Sequence, residues 1–269
     1  MSGRADGLRL PLAMRIRSPF RVAVLLAALA GALSGPLPAQ SSGAWSSQQL
    51  ALLRTDPFEL GVGDEFGSAL DLDGPTLAVG AHWHDPAGGG PNDGAAWVWR
   101  FDGSAWQQEI KLTPSPASGG RFGFAVAVDG ERIAIGAPYE AVGSAAAAGA
   151  VYVFSRSAGA WTLDARLTAP APTVFAHFGV ALDLEGDRLA IGSPREDQPG
   201  FADCGAAHVY RLLGAAWQHE ARLVAGDPGA YDLLGGAVSL SGARVAVGAS
   251  LDDVAGANDR GSVIVFETQ

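Results

Sequence analysis

The sequence predicts an all-β fold: a β-propeller of four four-stranded blades, closed by an N-terminal strand pairing into the last blade. Three observations predict it. First, a 56-residue unit recurs four times, because Phe66-Gly67, Phe122-Gly123, Phe178-Gly179 and Leu234-Gly235 fall at that constant offset. Gly80, Gly136, Gly192 and Gly248 share the offset, as do Ala69, Ala125, Ala181 and Ala237. Second, each unit holds four short strand-like runs separated by turn residues, which is the content of one blade. Third, 48% hydrophobic residues combined with 37 glycines and 16 prolines describe a chain that buries a core while turning often, which disfavours long helices.

In chain order, the first element is a leader. Arg4, Arg9, Arg15, Arg17 and Arg21 precede the apolar run Val22–Leu33, followed by Gly35-Pro36-Leu37-Pro38-Ala39. This reads as a secretory signal peptide over residues 1–39, cut near Ala39, with Met1 or Met14 as the start. The apolar run is far shorter than the roughly 20 residues a spanning helix needs. No cysteine follows the cut, so no lipid anchor is indicated. The expected location is secreted, extracellular or periplasmic. Loss of the five arginines and Asp6 takes the formal charge from −10 to −14. Such a domain repels nucleic acid and anionic membranes and suits cations or basic partners, although solubility explains the charge equally well. Cys204 is the only cysteine, so the domain stands without an internal disulfide.

Residues 40–269 form the propeller: blade 1 about 66–112, blade 2 about 122–167, blade 3 about 178–223, and blade 4 about 234–267 plus 45–52. Strand A, as Phe122–Val128, alternates bulky Phe124, Val126 and Val128 with small Ala125 and Ala127, so it has one bulky and one slim face. Asp73-Gly74, Asp129-Gly130, Glu185-Gly186 and Ser241-Gly242 make tight hairpin turns into strand B. Strand B, as Arg132–Ala137, carries a small residue at Ala78, Ala134, Ala190 and Ala246, which lets adjacent sheets approach. Strand C begins at Gly94, Gly149, Gly205 and Gly261, and strand D at Trp106, Trp161 and Trp217. The fourth unit has no tryptophan strand after its strand C, while Trp45–Leu52 is a D strand with no A, B or C before it. Pairing the two closes the ring and hides otherwise exposed edges. A chain that instead supplies part of a larger ring, or dimerises to eight blades, is the alternative.

These residues resemble the FG-GAP repeat, named for its Phe-Gly and Gly-Ala-Pro elements and known from the N-terminal propeller of integrin α chains, in the variant of secreted bacterial proteins. The resemblance covers about residues 45–267. Gly136-Ala137-Pro138 matches in full, and Gly192-Ser193-Pro194, Gly80-Ala81-His82 and Gly248-Ala249-Ser250 match in part. Two departures stand out. Integrin-like repeats carry a calcium loop between the two elements, whereas Asp71-Leu72-Asp73-Gly74 supplies only two carboxylates, and calcium takes six to eight oxygens. Integrin-type rings also have seven blades. The resemblance implies that the D–A and B–C connections form the ligand-binding face.

Those connections are the long ones: 82–93, 138–148, 194–204 and 250–260, with 53–65, 113–121, 168–177 and 224–233. Long loops on a rigid scaffold commonly carry binding. Their acidic members Asp85, Asp93, Glu140, Glu196, Asp197, Asp203, Asp252, Asp253 and Asp259 are candidates for a cation, calcium above all, or for a basic patch; solvated turns would look the same. His82-Trp83-His84-Asp85 is the one metal-like cluster, with both histidines expected on one side of an extended segment, but zinc needs further ligands. An ordinary surface loop is the competing reading. His82, Trp83, His84, Tyr139, Glu140 and Arg195 are the ligand-face candidates. The D-strand tryptophans read as packing residues, and Cys204 as a tolerated thiol.

No paired carboxylates, Ser-His-Asp set or phosphate loop has convincing context, so no catalytic residue and no cofactor are expected. The function expected is a secreted, non-enzymatic binding or adhesion module contacting an extracellular protein or glycan. A polysaccharide hydrolase or lyase with an axial site, and a structural envelope component, are the alternatives.

Overall fold

In the computed structural model, residues 53, 60–86, 91–115, 118–253 and 259–268 are described, and they belong to one unit spanning residues 48–269. They contain fifteen strands and no helix. Blade 1 comprises β1 (Ala69–Asp73), β2 (Thr76–Ala81), β3 (Ala95–Phe101) and β4 (Trp106–Leu112). Blade 2 comprises β5 (Ala125–Asp129), β6 (Arg132–Ala137), β7 (Ala150–Ser157) and β8 (Ala160–Leu167). Blade 3 comprises β9 (Leu182–Glu185), β10 (Arg188–Ser193), β11 (Ala206–Leu213) and β12 (Ala216–Leu223). Blade 4 contributes β13 (Leu234–Ser241), β14 (Arg244–Ala249) and β15 (Ser262–Glu267). Every sheet is an antiparallel meander in chain order, so each repeat is one sheet. The leader 1–39 and the Trp45–Leu52 strand lie outside the described residues, and closure of the ring is not among the observed pairings.

Local chemistry explains the regularity. Each A–B hairpin opens with glycine at positive φ: 54° at Gly74, 59° at Gly130, 61° at Gly186 and 58° at Gly242. Pro75 follows the first, and its ring holds φ near −65°, the sequence of signs that a two-residue II′ turn requires. Asp73 therefore pairs with Thr76, and Asp129 with Arg132, in the same register. A register shift recurs between strands C and D at Val98/Trp99, Val153/Phe154 and Val209/Tyr210. A bulge at this point adds twist to each outer strand.

The core lies between sheets. Ala78, Ala96 and Val98 of blade 1 pack on Val126, Val128, Ile133 and Ile135 of blade 2, slim face to bulky face. Blade 2 meets blade 3 in the same way, and blade 3 meets blade 4. Backbone approach sets the spacing. A Cβ on Gly80 would sit 2.0 Å from the Gly123 carbonyl oxygen, one on Gly136 2.1 Å from that of Gly179, and one on Gly192 1.9 Å from that of Gly235. Carboxylates then latch the junctions: Asp71 accepts from the Val128 N–H, Asp73 from Gly130, Asp129 from Gly186, Asp183 from Leu240 and Glu185 from Gly242.

The four inner strands β1, β5, β9 and β13 all contribute to one opening of about 530 Å³. The two end sheets differ from the rest. Leu70 and Leu72 on β1 are 66% and 55% exposed, and Val263 and Val265 on β15 are 69% and 62% exposed. Val128, Leu184 and Leu240, which match Leu72, are buried, as are Val98, Val153 and Val209, which match Val265.

Candidate functional site

The meander puts the A–B and C–D hairpins on one face and the B–C and D–A connections on the other. Each D–A connection ends on the residue before the Phe-Gly element, held in the left-handed region: φ is 56° at Glu65, 57° at Arg121, 55° at His177 and 57° at Leu233. For residues with a Cβ this conformation costs roughly 1–2 kcal/mol. The parallel bridges Gly94↔Phe122 and Gly205↔Leu234, which tie the next residue to the neighbouring blade, hold it in place.

Arg121 and Tyr139, from different connections, thereby meet Trp83 from a third. The Arg121 guanidinium carbon lies 3.8 Å from the centre of the Trp83 ring and 3.9 Å from that of Tyr139, a cation between two aromatic planes. Tyr139 continues to His177 at 4.6 Å between ring centres and to Phe124 at 6.1 Å. His82 lies 5.3 Å from Trp83 and 5.1 Å from Phe124. Arg195 follows His177, its guanidinium 3.9 Å from Asp203. Burial pushes the His82 imidazole down, with Arg121 adding to this and Glu65 opposing it. Burial also lowers His177, helped by Arg195 and Arg121 and opposed by Asp203. Both shifts favour the neutral imidazole, so the strip is aromatic with arginine as its cation. Beside Trp83, a depression of about 280 Å³ is lined by Glu65, Asp85 and Asn92.

Four ligand-face candidates thus stand on one strip: His82, Trp83, Tyr139 and Arg195. His84 and Glu140 turn inward instead. The expected extended segment is a turn, closed by the His84 N–H donating to the Ala81 carbonyl, and it separates the two histidines. His82 contacts Ser68 at 2.9 Å, whereas buried His84 contacts Asp64 at 2.6 Å and the Trp97 ring. Glu140 accepts from Tyr152 Oη at 2.8 Å and from Arg166 Nε at 2.7 Å, tying its loop to strands C and D. Burial and the charge of Glu140 push the Tyr152 phenol up to about 12. One repeat later, Glu196 accepts from Arg222 Nε at 2.5 Å and pairs with His208 Nε2 at 2.8 Å. His219 stands 3.1 Å behind His208.

The other acidic candidates close their own loops. Asp85 accepts from the Asn92 N–H, Asp197 from Asp203 and Asp253 from Asp259. Asp93 is buried and accepts from the Gly119 N–H. The Asp252 carbonyl receives the N–H groups of Arg260 and Gly261. Among the described residues, no three His, Cys, Asp or Glu side chains gather as a metal-binding group. Cys204 is buried, and burial pushes its thiol up.

Arg121, His177 and Phe124 were missed as site residues. A signal did exist, since position 121 precedes the Phe-Gly element and its repeats are Glu65, His177 and Leu233. A changing residue on an unchanging framework marks an outward-facing position.

The family model of the FG-GAP repeat matches residues 60–99, 106–154, 161–210 and 217–266. No curated protein matches the chain. Among solved structures, the chain is similar to a Bacteroides uniformis protein provisionally named a 6-phosphogluconolactonase, at 13% identity and a TM-score of 0.48, over 76% of this chain and 53% of that one. The chain thus spans about half the length of that protein.

Proposed function

Because this chain belongs to the FG-GAP repeat family, we propose that it is a secreted, non-enzymatic binding module that contacts an extracellular protein or glycan through its D–A and B–C face. The observation that carries this reading is the convergence of His82, Trp83, Arg121, Tyr139 and His177, from separate connections, on one strip of that face. Large rings and an arginine together are the residue types enriched where proteins bind tightly. The axial opening, by comparison, is lined by Gly67–Leu70, Phe124–Val126, Ala181, Leu182 and Gly236–Val238, which supply no carboxylate pair for acid–base chemistry. That favours binding over an axial hydrolase or lyase. An array of glycans and extracellular proteins, probed with the mature chain with and without chelator, tests the proposal. Binding that Tyr139→Ala reduces tenfold or more supports it. Silence across the array, or binding unchanged by Tyr139→Ala, removes it. Signal lost with chelator returns a cation to the acidic loops.

The same proposal includes closure of the ring, with Trp45–Leu52 as the outer strand of blade 4. Trp161 fills the junction of blades 1 and 2 among Val98, Ile110, Leu112, Val128, Ile133 and Phe154, and its indole donates to Glu109. The repeat-equivalents at the junction of blades 3 and 4 are Val209, Ala221, Leu223, Leu240, Val245 and Phe266, with Glu220 for Glu109. They line a groove of about 120 Å³ that suits a tryptophan. Closure would supply the contacts that Gly248 and Gly67 lack in the structure, where Gly248 meets nothing nearer than 3.6 Å and Gly67 nothing within 4 Å, whereas their repeat-equivalents Gly136 and Gly123 lie against neighbouring blades.

A further inference from the structure

We infer that the strip takes a glycan carrying isolated carboxylates, such as uronate side groups on a neutral chain, with Arg121 as the clamp for the carboxylate; this rests on the binding-face reading above. Among the described residues, ring stacking is the contact that holds the Arg121 side chain. Its guanidinium carbon lies over both the Trp83 and the Tyr139 ring, and among the described residues no carboxylate pairs with it. Arginines elsewhere in the repeats are paired with carboxylates: Arg166 and Arg222 with buried glutamates, and Arg156 with Glu109 and Glu131. A guanidinium stacked on aromatic rings keeps its N–H donors at the edge, in the fork that matches a carboxylate with two parallel hydrogen bonds. Stacking also fixes its orientation before any ligand arrives, which lowers the ordering cost of binding.

The surroundings select the ligand class. Beside Trp83 the depression offers Glu65, Asp85 and Asn92. An acidic peptide would satisfy Arg121 and then meet two carboxylates of its own sign. A sugar ring instead brings hydroxyl donors to those oxygens and an apolar face to the indole. Net charge limits the density of negative groups, because the chain carries −10 in formal charge and repels a dense polyanion. One guanidinium and a negative field therefore suit sparse carboxylates rather than a sulfated or uronate-only polymer.

The test uses the mature chain with immobilised glucuronoxylan, the same polymer after carboxyl reduction, heparin and poly-glutamate. The expected result is binding to glucuronoxylan that falls about tenfold or more on carboxyl reduction. Arg121→Ala should fall equally and no longer distinguish the two polymers, and Arg121→Lys, which keeps a cation between the rings but not the fork, should fall in between. Arg211→Ala removes an exposed cation near the opposite face and should bind as the parent does. Equal binding to native and reduced polymer overturns the inference, as does a lowered Tm in Arg121→Ala with binding intact, which would make the residue a structural staple. Stronger Arg121-dependent binding to poly-glutamate or heparin overturns the glycan class while leaving the face reading standing. Binding to another array ligand that Tyr139→Ala weakens, without any affinity for glucuronoxylan, likewise ends this inference and spares the face.

Discussion

Glu140 and Glu196 occupy the same place in successive repeats and do the same work, each drawing a cation from strand D and a polar ring from strand C into the base of a B–C connection. A buried carboxylate is costly unless its oxygens are satisfied, and both oxygens of each are. Burial alone would raise the Glu196 carboxyl, but hydrogen bonds and charge from His208 and Arg222 outweigh it and hold the group below the ordinary carboxylate range. The sign follows from linkage: a depressed carboxyl contributes stability that is complete above its unfolded value and disappears as pH falls through its folded value. Glu196→Gln should therefore lower Tm at neutral pH, by the equivalent of about 2 kcal/mol given that Arg222 is partly exposed. The gap from the parent should close in acid. A thermal-melt series across pH reads this, and a gap that persists in acid would show that the ion pairs contribute nothing there. In blade 1 the equivalent position is His84, matched to Asp64 and Trp97, so the device survives a change of residue type that hides it from sequence comparison.

At the scale of the element, the repeating glycines are contact points between sheets. Gly136 is not in a left-handed conformation, and its constraint is the Gly179 carbonyl in the next blade. Gly130 is the converse case: its surroundings are open but its φ is 59°. Gly136→Ala must push two sheets apart, an overpacking cost of about 3 kcal/mol, whereas Gly130→Ala pays only left-handed strain of about 1 kcal/mol. Denaturant melts should rank them in that order, and equal effects would remove the close approach from the account. The strand order, hairpins and repeat glycines were legible beforehand because period-two alternation and turn chemistry are local, although strand A of the second repeat runs over Ala125–Asp129 and not from Phe122, whose N–H is taken by the neighbouring blade. The interblade latches of Asp71, Asp73, Asp129, Asp183 and Glu185 were not, because an acidic residue before a glycine reads as turn chemistry until the next sheet is seen beside it.

For the whole molecule, the end sheets pose the remaining question of assembly. Blade 1 presents Leu70 and Leu72, and blade 4 presents Val263 and Val265, faces that every internal junction buries against each other. If the chain closes on itself, Gly248→Ala should destabilise about as much as Gly136→Ala, Trp45→Ala should lower Tm, and light scattering should give one chain's mass. A dimer mass with the same sensitivity at Gly248 would mean that two chains complete one ring. A monomer indifferent to both substitutions would leave the ends open and defeat closure.

Sequence by itself determined the number of repeats, the four strands of the first three and the A, B and C strands of the fourth, the face on which the long connections emerge and the family. All of these are set by spacing and alternation within one unit, where each residue acts on its near neighbours. Only the tertiary structure decided which loop residues became site and which became staple. Trp83 and Tyr139 turned outward onto Arg121 while His84 and Glu140, one residue further along their loops, turned into the core. That choice depends on the adjoining blade, whose Phe-Gly element fixes a left-handed residue above the junction and supplies the partner that each side chain finds.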